Sequence, residues 1–398
     1  MNKVDVAIVG GGLAGSLAAA MLGRAGIDAM MIDPHEAYPA DFRCEKLDGP
    51  QVAILRRTGL ADAVLPATTF DGESWVARFG RLVDQRPGDQ YGIRYESLIN
   101  TIRAAIPRTV PIAVAKATAV TPSAAAQRIT LSNGEAVDAR LVILATGLNI
   151  GLRKSLGVAL ETLSACHSIA IGFDIQPAGG RSFSFPALTY FAERIADRTA
   201  FLTLFPIGAA MRANLFVYRS LNDPWLQQLR DRPTETLCAL MPGLRALTGD
   251  FEVEGRIRIR PIDLCAARGH LQAGLVLVGD AYATSCPAAG TGARRTLMDI
   301  ERLCNVYIPR WLRMPAVGAD EIAAFYNDPL KAACDKYSLA KAYSLRSFSI
   351  DPGLASHGRR WAKFLLQSTL GAAHSHLNVY NKAHSGARGI RTFAFPGD

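Results

Sequence analysis

Gly10, Gly12 and Gly15 follow an apolar run that starts at Val4, and Asp33 closes the next apolar run. The spacing predicts a strand, a glycine turn, a helix over Leu13–Ala25 and a second strand ending in an acid. Gly10 permits the tight turn, Gly12 lets the backbone approach a pyrophosphate, and Gly15 lets the helix pack on the strand. Leu13 and Ala14 then open a helix whose N–H groups and positive dipole end face the phosphates. Asp33 is placed to accept from ribose hydroxyls. A glycine-rich turn in an unrelated α/β protein is the alternative. The strand, helix and acid at their expected distances favour dinucleotide binding.

A second constellation comes late. Gly279 and Asp280 end the apolar run Leu275–Val278 and lead into a loop holding Pro287, Gly290, Thr291 and Gly292, followed by a helix. A carboxylate at a strand end can accept from a ribityl or ribose hydroxyl. The glycines let a loop and a helix N-terminus approach a ring system, and that dipole end favours negative charge on a reduced flavin. Cys286 lies in this loop without a partner cysteine, so it reads as a packed residue. Tyr190, Tyr218 and Tyr282 are candidate phenol contacts, none compelling against ordinary packing. His167 reads as structural, and Glu45 with Lys46 as a solvated ion pair.

These residues need a scaffold. Val52–Gly59 predicts a helix stopped by glycine. Tyr95–Ile106 has apolar residues at helical spacing. Ser74–Arg86 predicts a hairpin, and Asn133 with Gly134 marks another. The apolar Leu141–Ala145 reads as a strand buried in a parallel sheet. Ile169, Ile171, Phe173 and Ile175 alternate with small or polar residues, as do Ile257, Ile259 and Ile262 with Arg256, Arg258 and Arg260. That is period-two text for an antiparallel sheet with one wet or ligand-facing side. The expected fold is α/β. A Rossmann-type dinucleotide domain (1–165 and 262–317) carries an inserted antiparallel-sheet substrate domain (166–261) and a helical C-terminal region (318–398).

Composition narrows the function. The chain has 398 residues, 49% of them hydrophobic, which suits two lobes and an extension. Its seven cysteines are scattered without a CxxC pair, so neither a disulfide framework nor a metal site is expected, and a cytoplasmic setting fits. Val6–Gly23 is uncharged, but its glycines and the preceding Asp5 argue against a membrane span or signal. The net charge is +9, and the stretch from Lys331 onward, with ten Lys/Arg and three Asp, supplies +7 of it. Without interleaved stacking aromatics this is not a nucleic-acid surface. It reads as a solvated helical face, or as a field that draws in an anion.

With both motifs in place, the chain resembles the group A flavoprotein monooxygenases, the family of p-hydroxybenzoate hydroxylase. Arg43 to Leu60 resembles the stretch whose arginine lies by the flavin, and Arg94 with Leu98 the arginine heading a cofactor-contacting helix. Arg153–Gly157 resembles the basic segment after the central motif. Three positions depart from the pattern. Thr146-Gly147 replaces the usual Asp-Gly, Tyr282 stands near a histidine position, and Ala293-Arg294 replaces an asparagine. The resemblance implies FAD bound at Gly10–Gly15, Asp33, Arg43, Arg94, Gly279, Asp280 and Gly290–Gly292. It also implies NAD(P)H as reductant and O2 as co-substrate. An aromatic or similarly electron-rich small molecule would be hydroxylated through a flavin C4a-hydroperoxide. No single catalytic side chain is assigned; Pro287, Gly290 and Gly292 are the flavin-loop candidates. An FAD-dependent dehydrogenase, oxidase or reductase, and a non-catalytic flavin-binding homologue, stay open. A halogenase is disfavoured because its Trp-x-Trp-x-Ile-Pro signature is absent. Substrate, NADH or NADPH, and monomer or homodimer are not settled by sequence.

Overall fold

The computed structural model describes residues 2–123, 126–180 and 182–385, with side chains of the last helix described to 369. Three sheets organise it. The first holds β1 (Asn2–Val9), β2 (Ala29–Asp33) and β8 (Ile112–Val114) in parallel. On the other side of β1 lies β11 (Ala136–Leu144), also parallel. The beginning of β11 pairs antiparallel with β10 (Gln127–Leu131), which pairs with β9 (Ala117–Thr121). Its end, Val142–Leu144, pairs parallel with β17 (Leu275–Leu277). The run at 141–145 is buried as its composition requires, because helices and loops cover both faces of a parallel sheet. The turn at Asn133-Gly134 closes the β10–β11 hairpin, with Gly134 at φ 85°.

Helices α1 (Leu13–Arg24), α2 (Gly49–Arg57), α3 (Ala61–Val64) and α4 (Tyr95–Ala104) pack on one face of this sheet. Residues 34–48 connect β2 to α2. They contain β3 (Cys44–Leu47), and α2 begins at Gly49 with Asp48 and Gln51 forming a capping box. The strand β3 pairs with β7 (Tyr91–Arg94), which pairs with β4 (Thr69–Phe70), making a small second sheet.

The third sheet has the order β16-β12-β15-β14-β13-β5-β6. Three of its strands lie within the expected substrate region, β13 (Leu188–Phe191), β14 (Thr199–Ile207) and β15 (Ala210–Val217), and a fourth, β12 (Ala159–Pro177), begins seven residues before it. A fifth, β16 (Phe251–Arg268), runs past its end. The hairpin of β5 (Glu73–Arg78) and β6 (Arg81–Pro87) comes from the segment assigned to the first domain, and β5 pairs parallel with β13. The hairpin itself was legible, but strand alternation carries no information about a partner a hundred residues away. Ile169, Ile171, Phe173 and Ile175 face a core closed by α6 (Pro224–Asp231), α7 (Pro233–Leu240) and α8 (Leu244–Thr248). The opposite face of β12, β14 and β15 turns towards the first domain.

In the first sheet, α5 (Ile150–Ser155) follows β11 and the turn at 279–281 follows β17, so both lie at the sheet's C-terminal edge. Then come α9 (Gly292–Arg302), α10 (Ile308–Trp311), α11 (Ala319–Tyr326), α12 (Pro329–Ile350) and α13 (Leu354–Ser385). The helical reading of the C-terminal region therefore holds to 385; residues 386–398 lie outside the described residues. No helix among the described residues is long and apolar enough to cross a membrane.

Candidate flavin site

The glycine turn has the shape the spacing predicts. Gly10 sits at φ 103°, and a Cβ there would lie 2.5 Å from the Ala145 carbonyl oxygen. A Cβ on Gly15 would lie 1.8 Å from the Gly10 oxygen, so helix and turn touch through bare backbone. A Cβ on Gly12 would meet nothing within 4 Å. Gly12 is thus free of protein contacts on the side a pyrophosphate would use, directly at the N-terminus of α1, where no side chain caps the helix.

Asp33 has more than one task. It accepts from Gly11 N at 2.6 Å and His35 N at 2.9 Å, and it pairs with Arg103 at 3.1 Å. Arg103, in the last turn of α4, also donates to the carbonyls of Gly11, His35 and Glu36. The acid and this buried arginine hold the loops after β1 and β2 in place. Sequence reasoning missed Arg103 because an arginine in a helix's last turn reads as an ordinary partner of the dipole.

The second motif arrives beside the first. Gly279 turns at φ 60°, and no group among the described residues hydrogen-bonds the half-buried Asp280 carboxylate. Its charge acts on Glu45 from β3, Tyr95 from α4, Arg153 from α5 and Arg295 from α9. Arg153 is buried and donates to the Ala281 carbonyl at 3.3 Å, tying the segment after the central motif to the Gly-Asp turn. The Thr146 hydroxyl, at the altered central motif, is buried without a partner among the described residues.

The pairing of β3 with β7 sets Cys44, the neighbour of Arg43, opposite Arg94. Neither guanidinium is idle. Arg43 pairs with Asp41 and stacks 3.8 Å from the Tyr95 ring centre. Arg94 pairs at 2.8 Å with Asp174, which also takes Arg212 at 3.3 Å. Arg94 therefore ties the helix α4 to the third sheet.

Glu45 and Lys46 are not a solvated pair. Adjacent strand residues point to opposite faces. Burial pushes the Glu45 carboxyl up to about 7, with Asp280 adding to the shift, and burial pushes Lys46 down to about 8. A carboxyl whose charged form is disfavoured costs the fold nothing below its ordinary range, and its penalty grows as pH rises towards 7. Glu45→Gln is expected to raise the melting temperature at pH 8 and leave it unchanged at pH 4. Equal shifts at both pH values would show that burial of the charge is not the cause.

The flavin loop is anchored from behind. Its 3-10 turn spans Pro287–Ala289, Gly290 is exposed at φ 64°, and Gln51 donates to the Gly290 carbonyl at 3.3 Å. The Thr291 hydroxyl is turned away, 2.6 Å from Ser338 on α12, which leaves only its backbone for a ligand. Gly292 begins α9, again without a side-chain cap. Cys286 is buried and lies 3.4 Å from the Ser168 hydroxyl, a packed residue with its thiol pKa raised by burial. His167 is buried against Ser164 and the Ala342 carbonyl. Tyr282 stacks on Tyr326 at 4.6 Å, in the body of the protein. No group of side chains among the described residues is arranged to hold a metal ion.

The residues fit FAD. Two uncapped helix N-termini (α1 and α9), an open Gly12, an unpartnered Asp280 and the orphaned Thr146 hydroxyl converge where the first sheet's strands end, the usual ligand edge of such sheets. Such a site defines a dinucleotide-binding flavoprotein with the third sheet packed against its flavin loop. The chain matches the FAD binding domain family over residues 3–307. It belongs to that family, among the group A flavoprotein monooxygenases, and is an FAD-dependent oxidoreductase. It is 27% identical over 332 residues to the ubiquinone hydroxylase of Rhodospirillum rubrum, covering 76% of this chain and 71% of that one. It is 24% identical over 332 residues to the 3-demethoxyubiquinol 3-hydroxylase of Escherichia coli, covering 77% and 80%. The solved p-nitrophenol 4-monooxygenase of Pseudomonas putida shares the fold, with a TM-score of 0.73 at 16% identity, over 98% of this chain and all of that one.

Proposed function

We propose that the protein hydroxylates an electron-rich phenol or quinol ring carrying apolar substituents, held between the third sheet and the flavin loop. The carrying observation is the apolar wall where they meet. Ala170, Phe216 and Leu264 from the sheet pack with Cys286, Ala288 and Ala289 from the loop, and Phe201 joins them. Thr203 and Asn214, half-buried and paired across β14 and β15, put polar groups on the same face. An apolar wall with a few fixed polar groups is how small-molecule sites recognise such rings. The two hydroxylases similar in sequence act, by their names, on ubiquinone-type rings, which supports a ring of this class.

Bound FAD supplies the redox chemistry, taking hydride from NAD(P)H and activating dioxygen. The overall balance is substrate-H, O2, NAD(P)H and a proton giving substrate-OH, water and NAD(P)+. The chain's own residues do the rest. The α1 N-terminus and Gly12 take the pyrophosphate, and Asp280 accepts a hydroxyl of the cofactor's sugar chain. The α9 N-terminus favours negative charge on the ring system, and the wall excludes water from the reacting face. The domain at 166–261, extended by β5 and β6, selects the substrate.

The test is NAD(P)H oxidation by the FAD-loaded protein under 18O2 with a short-chain quinol or alkylphenol. Stimulated oxidation with one labelled oxygen in the product supports the reading. Oxidation without incorporation would assign an oxidase or reductase instead. Asp280→Asn is expected to weaken FAD binding about tenfold, the value of one charge-assisted hydrogen bond.

A further inference from the structure

A cavity of about 630 Å³ lies at the junction of α12 and α13, against the turn Ile195–Asp197. Arg194, Arg198, His357 and Arg360 line it with Phe79 and Ile350. No residue of the flavin loop lines it. Ser338 meets that loop and Ile350 meets the cavity, twelve residues further along α12, or ~18 Å at ~1.5 Å per residue.

Arg360 is 7% exposed. Its Nη2 donates to the Ala192 carbonyl at 2.7 Å, and its Nη1 is buried with no hydrogen-bond partner among the described residues. Arg78, 4% exposed, lies close by, stacked 3.6 Å from the Phe191 ring centre and donating to Gln367. Among the described residues neither guanidinium has a carboxylate partner. Burial and the charge of Arg360 push Arg78 down to about 10, and burial lowers Arg360 too. Lys363 is lowered by burial and by Arg78. The lining carboxylate, Glu193, is committed, accepting from Tyr190 at 2.5 Å and Gly243 N at 2.9 Å. Arg194 is paired with Asp197. Two buried, mutually repelling guanidiniums with no acid are costly unless an anion joins them.

We propose that this cavity binds a small amphipathic anion, a phosphate or carboxylate head on an apolar body, with Arg360 as the buried contact. The head would satisfy Arg360 Nη1, with Arg198 and His357 at the rim. The apolar body would lie on Phe79 and Ile350. Phe79 is stacked at 4.8 Å on Trp361, which is 52% exposed, so an apolar surface continues out of the cavity along α13. The volume suits a small molecule. The cavity borders the apolar wall through Ile350, but Arg360 and the other cations that line it are not part of that wall, and the proposal does not depend on the substrate assigned there.

The experiment uses the FAD-loaded protein and hexyl phosphate below its micelle concentration, with inorganic phosphate and hexanol as partial ligands. Saturable binding of hexyl phosphate is expected, with both partial ligands at least tenfold weaker by order of magnitude. At a hundredfold excess over Kd the melting temperature should rise by about 3–5 °C. Arg360→Met should weaken binding at least about tenfold, while the flavin spectrum stays unchanged. Should that variant fail to fold, Arg198→Gln, at the exposed rim, is expected to lower affinity several-fold. Co-sedimentation with vesicles of phosphatidylcholine containing phosphatidylglycerol, lost in Arg360→Met, would identify the head as a lipid's. Hexyl phosphate binding without vesicle binding would identify a soluble anion. No saturable binding to hexyl phosphate or vesicles, or equal binding by the wild type and both variants, would overturn the proposal.

Discussion

A Gly12→Val variant is expected to fold and to emerge colourless. A Cβ at this position meets no protein atom within 4 Å, and the backbone is extended at φ −74° and ψ −163°. The fold should lose only about 1 kcal/mol, the cost of a poor residue at a helix N-cap. The cofactor meets the same side chain at the point where its pyrophosphate must touch the backbone. FAD affinity should fall on the order of 100-fold or more, about 3 kcal/mol. Gly15→Ala separates the two effects. Its Cβ would sit 1.8 Å from the Gly10 oxygen, so that variant should lose the turn itself, with a lower melting temperature. Flavin content by absorbance and folding by circular dichroism decide the matter. A yellow Gly12→Val protein with normal FAD affinity would refute the placement of the pyrophosphate.

Lys331→Met is expected to be the most destabilising conservative change in the C-terminal region. Lys331 is fully buried and pairs with Asp299 and Asp335, each at 2.9 Å, with its Nζ 4.4 Å from the Tyr282 ring centre. Asp335 also takes Arg295 at 2.7 Å. This network fastens α12 to α9, and α9 carries the flavin loop at its head. Removing one partner leaves Asp299 charged and buried, which costs about 3–5 kcal/mol. The melting temperature should drop on the order of 10 °C. Adding Asp299→Asn should recover part of the loss, because the stranded charge is gone. An equal loss in the single and double variants would show that packing, not charge, holds the joint. The pH dependence has a definite sign. Arg295 and Lys331 hold Asp335 below its ordinary value, so this stabilisation is present above the usual carboxylate range and lost as pH falls below it. The aspartates raise Lys331, so its share is complete below the ordinary lysine value and lost only as pH rises through the raised one.

The basic C-terminal stretch shows how far composition reads. Its charge suggested a solvated helical face, yet Lys331 and Arg360 are among its buried residues. A lysine's burial depends on what packs over it. The acids that neutralise Lys331 stand one turn along α12, at Asp335, and on α9, at Asp299. The first is visible at i,i+4 spacing; the second requires the helices to be docked. Glu45 and Lys46 make the same point from the other direction. Adjacent opposite charges looked like a pair, but strand geometry sends them to different faces.

What the residues by themselves determined was the cofactor scaffold. Gly10, Gly12, Gly15, Gly279 and Asp280 act through backbone conformation and short-range spacing, so their meaning survives without knowing any distant contact. The parallel core strands and the hairpin at 133–134 were legible for the same reason, being local patterns of burial and turn chemistry. The tertiary structure alone decided the rest. It gave Arg94 to Asp174, turned Thr291 towards Ser338, brought β5 and β6 to the third sheet, and left Arg360 buried without an acid among the described residues. Each of these depends on a partner far away in the chain. Such pairings are set by the packing of whole elements, and no window of sequence contains both members.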